Sequence, residues 1–182
     1  MSPFATKLIN VLLYQVGWFC CVLGAALDHP VAGALSALAL AAVHLFLTCS
    51  RKAEALLMLC TCLLGIGVDS LQQGLGVFTF KEHPGWPFWL PLWVFAIWLQ
   101  FATLFRYALY WLSGRYLLAT LFGMVGGPLA YWAGVRFGAA SFGEQPLLSL
   151  MSLAVVWSVL VPSLLWLSDR LSPEEGCYRW WR

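Results

Sequence analysis

Residues 54–76 read EALLMLCTCLLGIGVDSLQQGLG. A membrane-crossing helix needs roughly 20 consecutive apolar residues, and this run supplies them while carrying Asp69, Gln72 and Gln73 near one end. A carboxylate within the hydrocarbon layer costs several kcal/mol unless it is paired, protonated or wetted. At helical spacing Thr61, Cys62, Gly65, Asp69, Gln72, Gln73 and Gly76 fall on one stripe, and the other faces are Leu, Ile, Val and Met. The stripe therefore predicts a helix whose polar side faces the interior of a bundle. By residue count Asp69 lies roughly 9 Å below the outer surface, at about 1.5 Å per residue.

The whole chain has the same character. Of its 182 residues 62% are hydrophobic and 10% charged, with a mean hydropathy of +0.81. Soluble domains run closer to half apolar and about a quarter charged, so a soluble fold of this length has too little interior for the apolar surface. A net charge of +2 with no polybasic run gives no support to a nucleic-acid partner or to a surface-bound protein. Six apolar runs stand out, at 8–27, 31–49, 55–75, 88–110, 117–137 and 147–167, separated by short polar breaks containing Pro and Gly. They predict one all-α domain over 1–182, a bundle of six transmembrane helices with a short tail at 168–182. The first run is longer than the apolar core of a signal peptide, which favours a retained helix.

Lys and Arg orient the bundle. Lys7, Arg51, Lys52, Arg106, Arg115, Arg170, Arg179 and Arg182 fall on the side shared by both termini, against Lys81 and Arg136 on the other. Both termini are therefore expected in the cytoplasm. Trp86, Trp89 and Trp93 on one side, and Tyr107, Tyr110 and Trp111 on the other, fit interfacial aromatic belts.

Several chemistries lack their residues. Cys20, Cys21, Cys49, Cys60, Cys62 and Cys177 include no Cys-x-x-Cys pair, and Cys60 and Cys62 point to opposite sides of a helix. His29, His44 and His83 stand apart, so no metal centre, cofactor or catalytic residue is expected; no nucleophile motif or phosphate loop is present.

Polar residues in the other spans supply further candidates. Arg136, near the outer end of the fifth span, is the favoured partner of Asp69, with Lys81 closer to water. Two readings stay open for that pair: a structural lock between helices three and five, or part of a polar lining for a ligand or proton path. The fourth span carries Ala96, Gln100, Thr103, Tyr107 and Tyr110 on one stripe, with Gln100 near mid-membrane. Arg106 beside it is expected to snorkel to the headgroups, with a lipid phosphate as the alternative partner. Gln15 and His44 lie nearer the cytoplasmic side, and His44 is read as a packing residue against a proton relay. In the fifth span Ala119, Gly123, Gly127, Ala130, Gly134 and Gly138 trace a small-residue face of the kind that lets membrane helices approach closely. Pro128 predicts a kink or break near Gly126 and Gly127, and Pro162 a second kink in the sixth span. In the tail, Trp180, Trp181 and the flanking arginines suit the headgroup layer.

The pieces YQVGWFCCVLGAA at 14–26, GIGVDSLQQGLGVF at 65–78, PLWVFAIWLQFATL at 91–104 and GMVGGPLAYWAGVRFGAASF at 123–142 resemble a bacterial family of small polytopic inner-membrane proteins of unknown function. The resemblance implies a multi-pass protein of the bacterial cytoplasmic membrane. It implies no substrate, cofactor or catalytic residue. Three functions are weighed. The first is binding or translocation of a small solute or lipid through a polar pocket open to the outer face between helices three, four and five, lined by Asp69, Gln72, Gln73 and Arg136 with Gln100 as its floor. The second is a non-catalytic accessory or assembly subunit, and the third a membrane-embedded lipid-modifying enzyme. Membrane lipids are the expected partners, with a homo-oligomer or a membrane partner subunit left open.

Overall fold

A computed structural model describes residues 3–81 and 89–171. The expectations placed on His83, Trp86, Cys177 and the tail from Ser172 onward fall outside the described residues. The elements in order are α1 (Pro3–Ala26), α2 (Pro30–Leu47), α3 (Arg51–Gly74), β1 (Phe78–Phe80), α4 (Leu92–Ala102), a single 3₁₀ turn (Tyr110–Leu112), α5 (Tyr116–Phe137), β2 (Ala140–Phe142) and α6 (Pro146–Arg170). Five of the six α-helices are long and apolar enough to cross a membrane; α4 is not. Leu63, Leu117, Val125 and Val155 are exposed on outward faces, while Asn10, Glu54, Asp69, Gln72 and Gln100 are buried. That reversal of the water-soluble pattern is what a hydrocarbon solvent selects.

The helices pair as α1 with α2 and α5 with α6, and α4 packs against α1, α2 and α3. Small residues allow the close approaches. A Cβ on Gly33 would overlap the Cys20 carbonyl of α1, and one on Gly123 would overlap the Trp157 carbonyl of α6. The core is Leu, Ala and large aromatics, with Trp93, Trp98, Phe101 and Trp157 buried near its centre.

Three expectations need correction. The predicted fourth span at 88–110 contains only a short helix. After Ala102 the chain leaves regular α-helix, turning through 103–109 into the 3₁₀ turn. Non-helical backbone at membrane depth is tolerated where protein covers it, and Leu104, Phe105, Arg106 and Leu109 are buried. The side chain of Asn10 on α1 satisfies two of the freed backbone groups. Its Nδ2 donates to the Thr103 carbonyl at 3.0 Å, and its Oδ1 accepts from the Ala108 N–H at 3.3 Å.

Second, α5 runs unbroken through Pro128, so the break near Gly126 and Gly127 does not occur. Gly138 does not belong to the packing face either: it sits at φ 88° and caps the helix in the left-handed region that glycine tolerates.

Third, the chain is not purely helical. β1 and β2 form an antiparallel pair, Phe78 opposite Phe142 and Phe80 opposite Ala140, closing one end of the bundle. Lys81 Nζ joins the α1–α2 turn to this end, donating to the Ala26 carbonyl at 2.9 Å and pairing with Asp28 at 2.8 Å. Asn10 near the start of the described residues and Leu171 at their end both contact the 103–108 segment, so the described residues begin and end at the opposite end from the strands.

Candidate functional site

Asp69 is 1% exposed and faces inward, as its stripe predicts. The stripe's neighbours explain how it is held. Gly65 lies one turn earlier on α3, and a Cβ there would run into the indole of Trp98 on α4. The missing side chain lets that indole lie flat on α3, with its Nε1 donating to Asp69 Oδ2 at 2.7 Å. Tyr131 of α5 donates its hydroxyl to the other carboxylate oxygen. Both oxygens thus accept from neutral donors, and among the described residues no Lys, Arg or His pairs with Asp69.

The predicted Asp69–Arg136 pair does not form. Arg136 is exposed, its guanidinium 5.9 Å from the ring centre of Trp132 on its own helix. The small face of α5 meets α6 instead of α3: a Cβ on Gly127 would overlap the Trp157 ring. The link between α3 and α5 is made by side chains, Asp69 to Tyr131.

These residues border a cavity of about 70 Å³ beneath the strand pair. Asp69 is the single charged residue in its wall. Eight of its fifteen lining residues are aromatic: Tyr14, Trp18, Phe80, Trp93, Trp98, Phe101, Tyr131 and Trp157. Gly134 also borders it, with open space where a Cβ would go. The indole N–H of Trp93 is buried and has no hydrogen-bond acceptor among the described residues.

The cavity is therefore aromatic, not the amide-lined pocket expected. Gln72, Gln73, Gln100 and Arg136 are not in its wall. Gln72 is buried and reaches Ser152 on α6 at 3.5 Å. Gln73 is spent on backbone, accepting from the Phe80 N–H at 3.1 Å and donating to the Trp89 carbonyl at 3.3 Å. Gln100 donates to the Ala37 carbonyl of α2 at 2.8 Å and lies where a Cβ on Gly17 would be. Gln15 is exposed on the outer face of α1. Trp93, expected at an interface, is core.

A second polar cluster sits at the opposite end. Glu54 is 0% exposed; its Oε1 accepts from His44 Nε2 at 2.9 Å and its Oε2 from Arg106 Nη1 at 3.3 Å. Arg106 Nη2 also donates to the Leu171 carbonyl at 2.9 Å, and Asn10 lies 3.5 Å from His44 Nδ1. Arg106 is thus buried in an ion pair and does not reach toward headgroups as expected. His44 packs edge-on to Tyr107 and is held in this cluster.

Trp98, Tyr131, Glu54 and Asn10 escaped the sequence reading. Glu54 had a signal: the α3 stripe, carried back through Cys62, Thr61, Met58 and Leu57, reaches it at the same spacing. Asn10 shares its apolar run with Gln15, and nothing in the spacing singles it out. Trp98 and Tyr131 carry no sequence signal distinguishing them from lipid-facing aromatics.

Fold and site define a class: a multi-pass helical membrane protein holding a carboxylate in an aromatic cavity within the bundle. The chain belongs to the family described as "Protein of unknown function (DUF2878)", whose model matches residues 7–163. No curated protein and no solved structure matches it.

Proposed function

We propose that the protein binds a small solute or a lipid fragment in the cavity between α1, α3, α4, α5 and α6. The observation that carries this reading is Asp69: a fully buried carboxylate bordering open space, held by two neutral donors and by no cation among the described residues. A bundle needing only a helix lock at this depth is served by an amide or a hydroxyl, without the penalty of a charge in hydrocarbon. Aromatic walls with few polar groups are the usual make-up of a small-molecule site. The cavity lies under the strand pair, and the Lys and Arg asymmetry supports a non-cytoplasmic position for that end, so the solute would enter from there. The setting is a bacterial cytoplasmic membrane.

The test is purification in native lipid nanodiscs, followed by mass spectrometry of the molecules released on denaturation. A bound compound is expected in stoichiometric amount from the native protein. It should be missing from Gly134→Phe, whose added Cβ starts in open space at the cavity wall. Identical extracts from the two proteins would remove the binding reading. A stoichiometric second polypeptide, with no small molecule, would favour an accessory subunit instead.

A further inference from the structure

Granting that the cavity binds a ligand, we infer that it selects a small organic ammonium ion carrying a hydrogen-bond acceptor. Three features of the wall argue for this. The sole charged lining residue is the Asp69 carboxylate, and no cation of the described chain neutralises it. A cationic ligand compensates the ionised form of the carboxylate in a low dielectric, which an anionic or uncharged one does not. The rest of the wall is mainly aromatic, and π-systems attract organic cations, most strongly where water is excluded. The third feature is the buried Trp93 indole N–H, which has no acceptor among the described residues. Nearly every buried donor finds a partner, so the ligand's acceptor supplies one. Size narrows the class further. A cavity of about 70 Å³, against roughly 150 Å³ for one that holds benzene, admits a small ammonium head and excludes bulkier amines. Metal cations are poorly matched, because the wall offers one carboxylate and no cluster of further ligands.

The protein is reconstituted in nanodiscs of phosphatidylglycerol, which carries no amine, and titrated with choline while tryptophan emission is followed. Neohexanol, the uncharged isostere in which carbon replaces nitrogen, is titrated in parallel. A third arm holds choline at zero and raises the phosphatidylcholine content of the discs. Saturation in the first arm marks a free ligand, and saturation in the third alone marks a lipid headgroup; either supports the inference. Choline should bind at least about tenfold more tightly than neohexanol, as a desolvated cation on aromatic rings and a carboxylate requires. Asp69→Asn should abolish that preference while neohexanol still binds. If Asp69→Asn does not fold, Trp93→Leu replaces it and should reduce the choline preference about threefold or more. Equal affinities for choline and neohexanol, or a full choline preference in Asp69→Asn, overturn the ammonium assignment. They leave the binding reading intact if neohexanol binds and Gly134→Phe blocks it. Failure of all three arms to saturate also overturns the ammonium assignment, and the extraction experiment alone then decides whether the cavity binds anything.

Discussion

At the residue scale, three positions act as one unit: Gly65 makes room, Trp98 fills it, and Asp69 receives the indole N–H. The energetic asymmetry of hydrogen bonding makes the unit sensitive. Forming such a bond stabilises modestly, but leaving a buried acceptor unmatched costs about 1–3 kcal/mol, more for a charged group. Trp98→Phe removes the donor and is expected to lower unfolding stability by about that amount. Gly65→Ala drives a methyl into the same ring and is expected to cost about 1–3 kcal/mol as an overpacked contact. Because both changes break one contact, the double variant should lose clearly less than the sum, by a coupling of at least about 0.5 kcal/mol. Unfolding in lipid nanodiscs measures all three; strict additivity would mean that Gly65 and Trp98 do not act together. Sequence spacing located Asp69 and Gly65 on one inward stripe, because a carboxylate among leucines has few places to go. It did not locate the donors. Trp98 and Tyr131 are amphipathic, and their sequence neighbourhood looks the same whether the polar tip meets headgroups or a buried carboxylate.

At the element scale, the departure of α4 from a full span shows what hydropathy counts and what it omits. An apolar run is compatible with lipid around it or with protein around it. For 88–110 the surroundings of the described part include α1, α2, α3 and Trp157 of α6, so its backbone is free to leave the α-helix after Ala102 provided its polar groups find partners. Asn10 supplies two of them from α1. Asn10→Leu keeps the side chain's size and removes both bonds, stranding the Thr103 carbonyl and the Ala108 N–H. The expected result is a loss of about 2–4 kcal/mol, together with faster amide hydrogen exchange confined to residues 103–109. Unchanged exchange there would show that the turn closes without α1. The long helices were legible because each matches the bilayer in length. Pro128 was legible as a residue but misleading as a break, since α5 absorbs it without interruption. The glycines of that helix serve three different ends. Gly123 and Gly127 admit α6, Gly134 opens the cavity, and Gly138 takes the left-handed cap.

At the scale of the whole molecule, polar chemistry is divided between the two ends of the bundle. Asp69 and its cavity lie toward the strand pair, while the cluster of Asn10, His44, Glu54 and Arg106 joins α1, α2, α3, the 103–109 turn and Leu171 after α6 at the other end. The second cluster is internally compensated, carboxylate against guanidinium, as a structural tie requires; Asp69 has no cationic partner among the described residues. Removing one member of the buried pair, as in Glu54→Gln or Arg106→Gln, should cost about 3–5 kcal/mol, whereas the double variant should recover much of that loss because neither charge is stranded. Thermal unfolding of the three variants measures this, and a double variant as weak as the sum of the singles would mean that the two charges are not partners. The division of ends also fixes which way the cavity faces once one end is assigned to the cytoplasm. Arg51, Lys52, Arg115 and Arg170 border the end carrying the Glu54 cluster, and Lys81 borders the strands. Positive residues are retained on the cytoplasmic side during insertion, so the strands should face outward. Thr79, exposed in the middle of β1, and Cys49, exposed in the α2–α3 turn, report on opposite ends. In a background stripped of the other cysteines, a membrane-impermeant maleimide should label Thr79→Cys in intact cells and Cys49 only after permeabilisation. The reverse pattern would turn the cavity toward the cytoplasm, and the solute would then have to come from inside the cell.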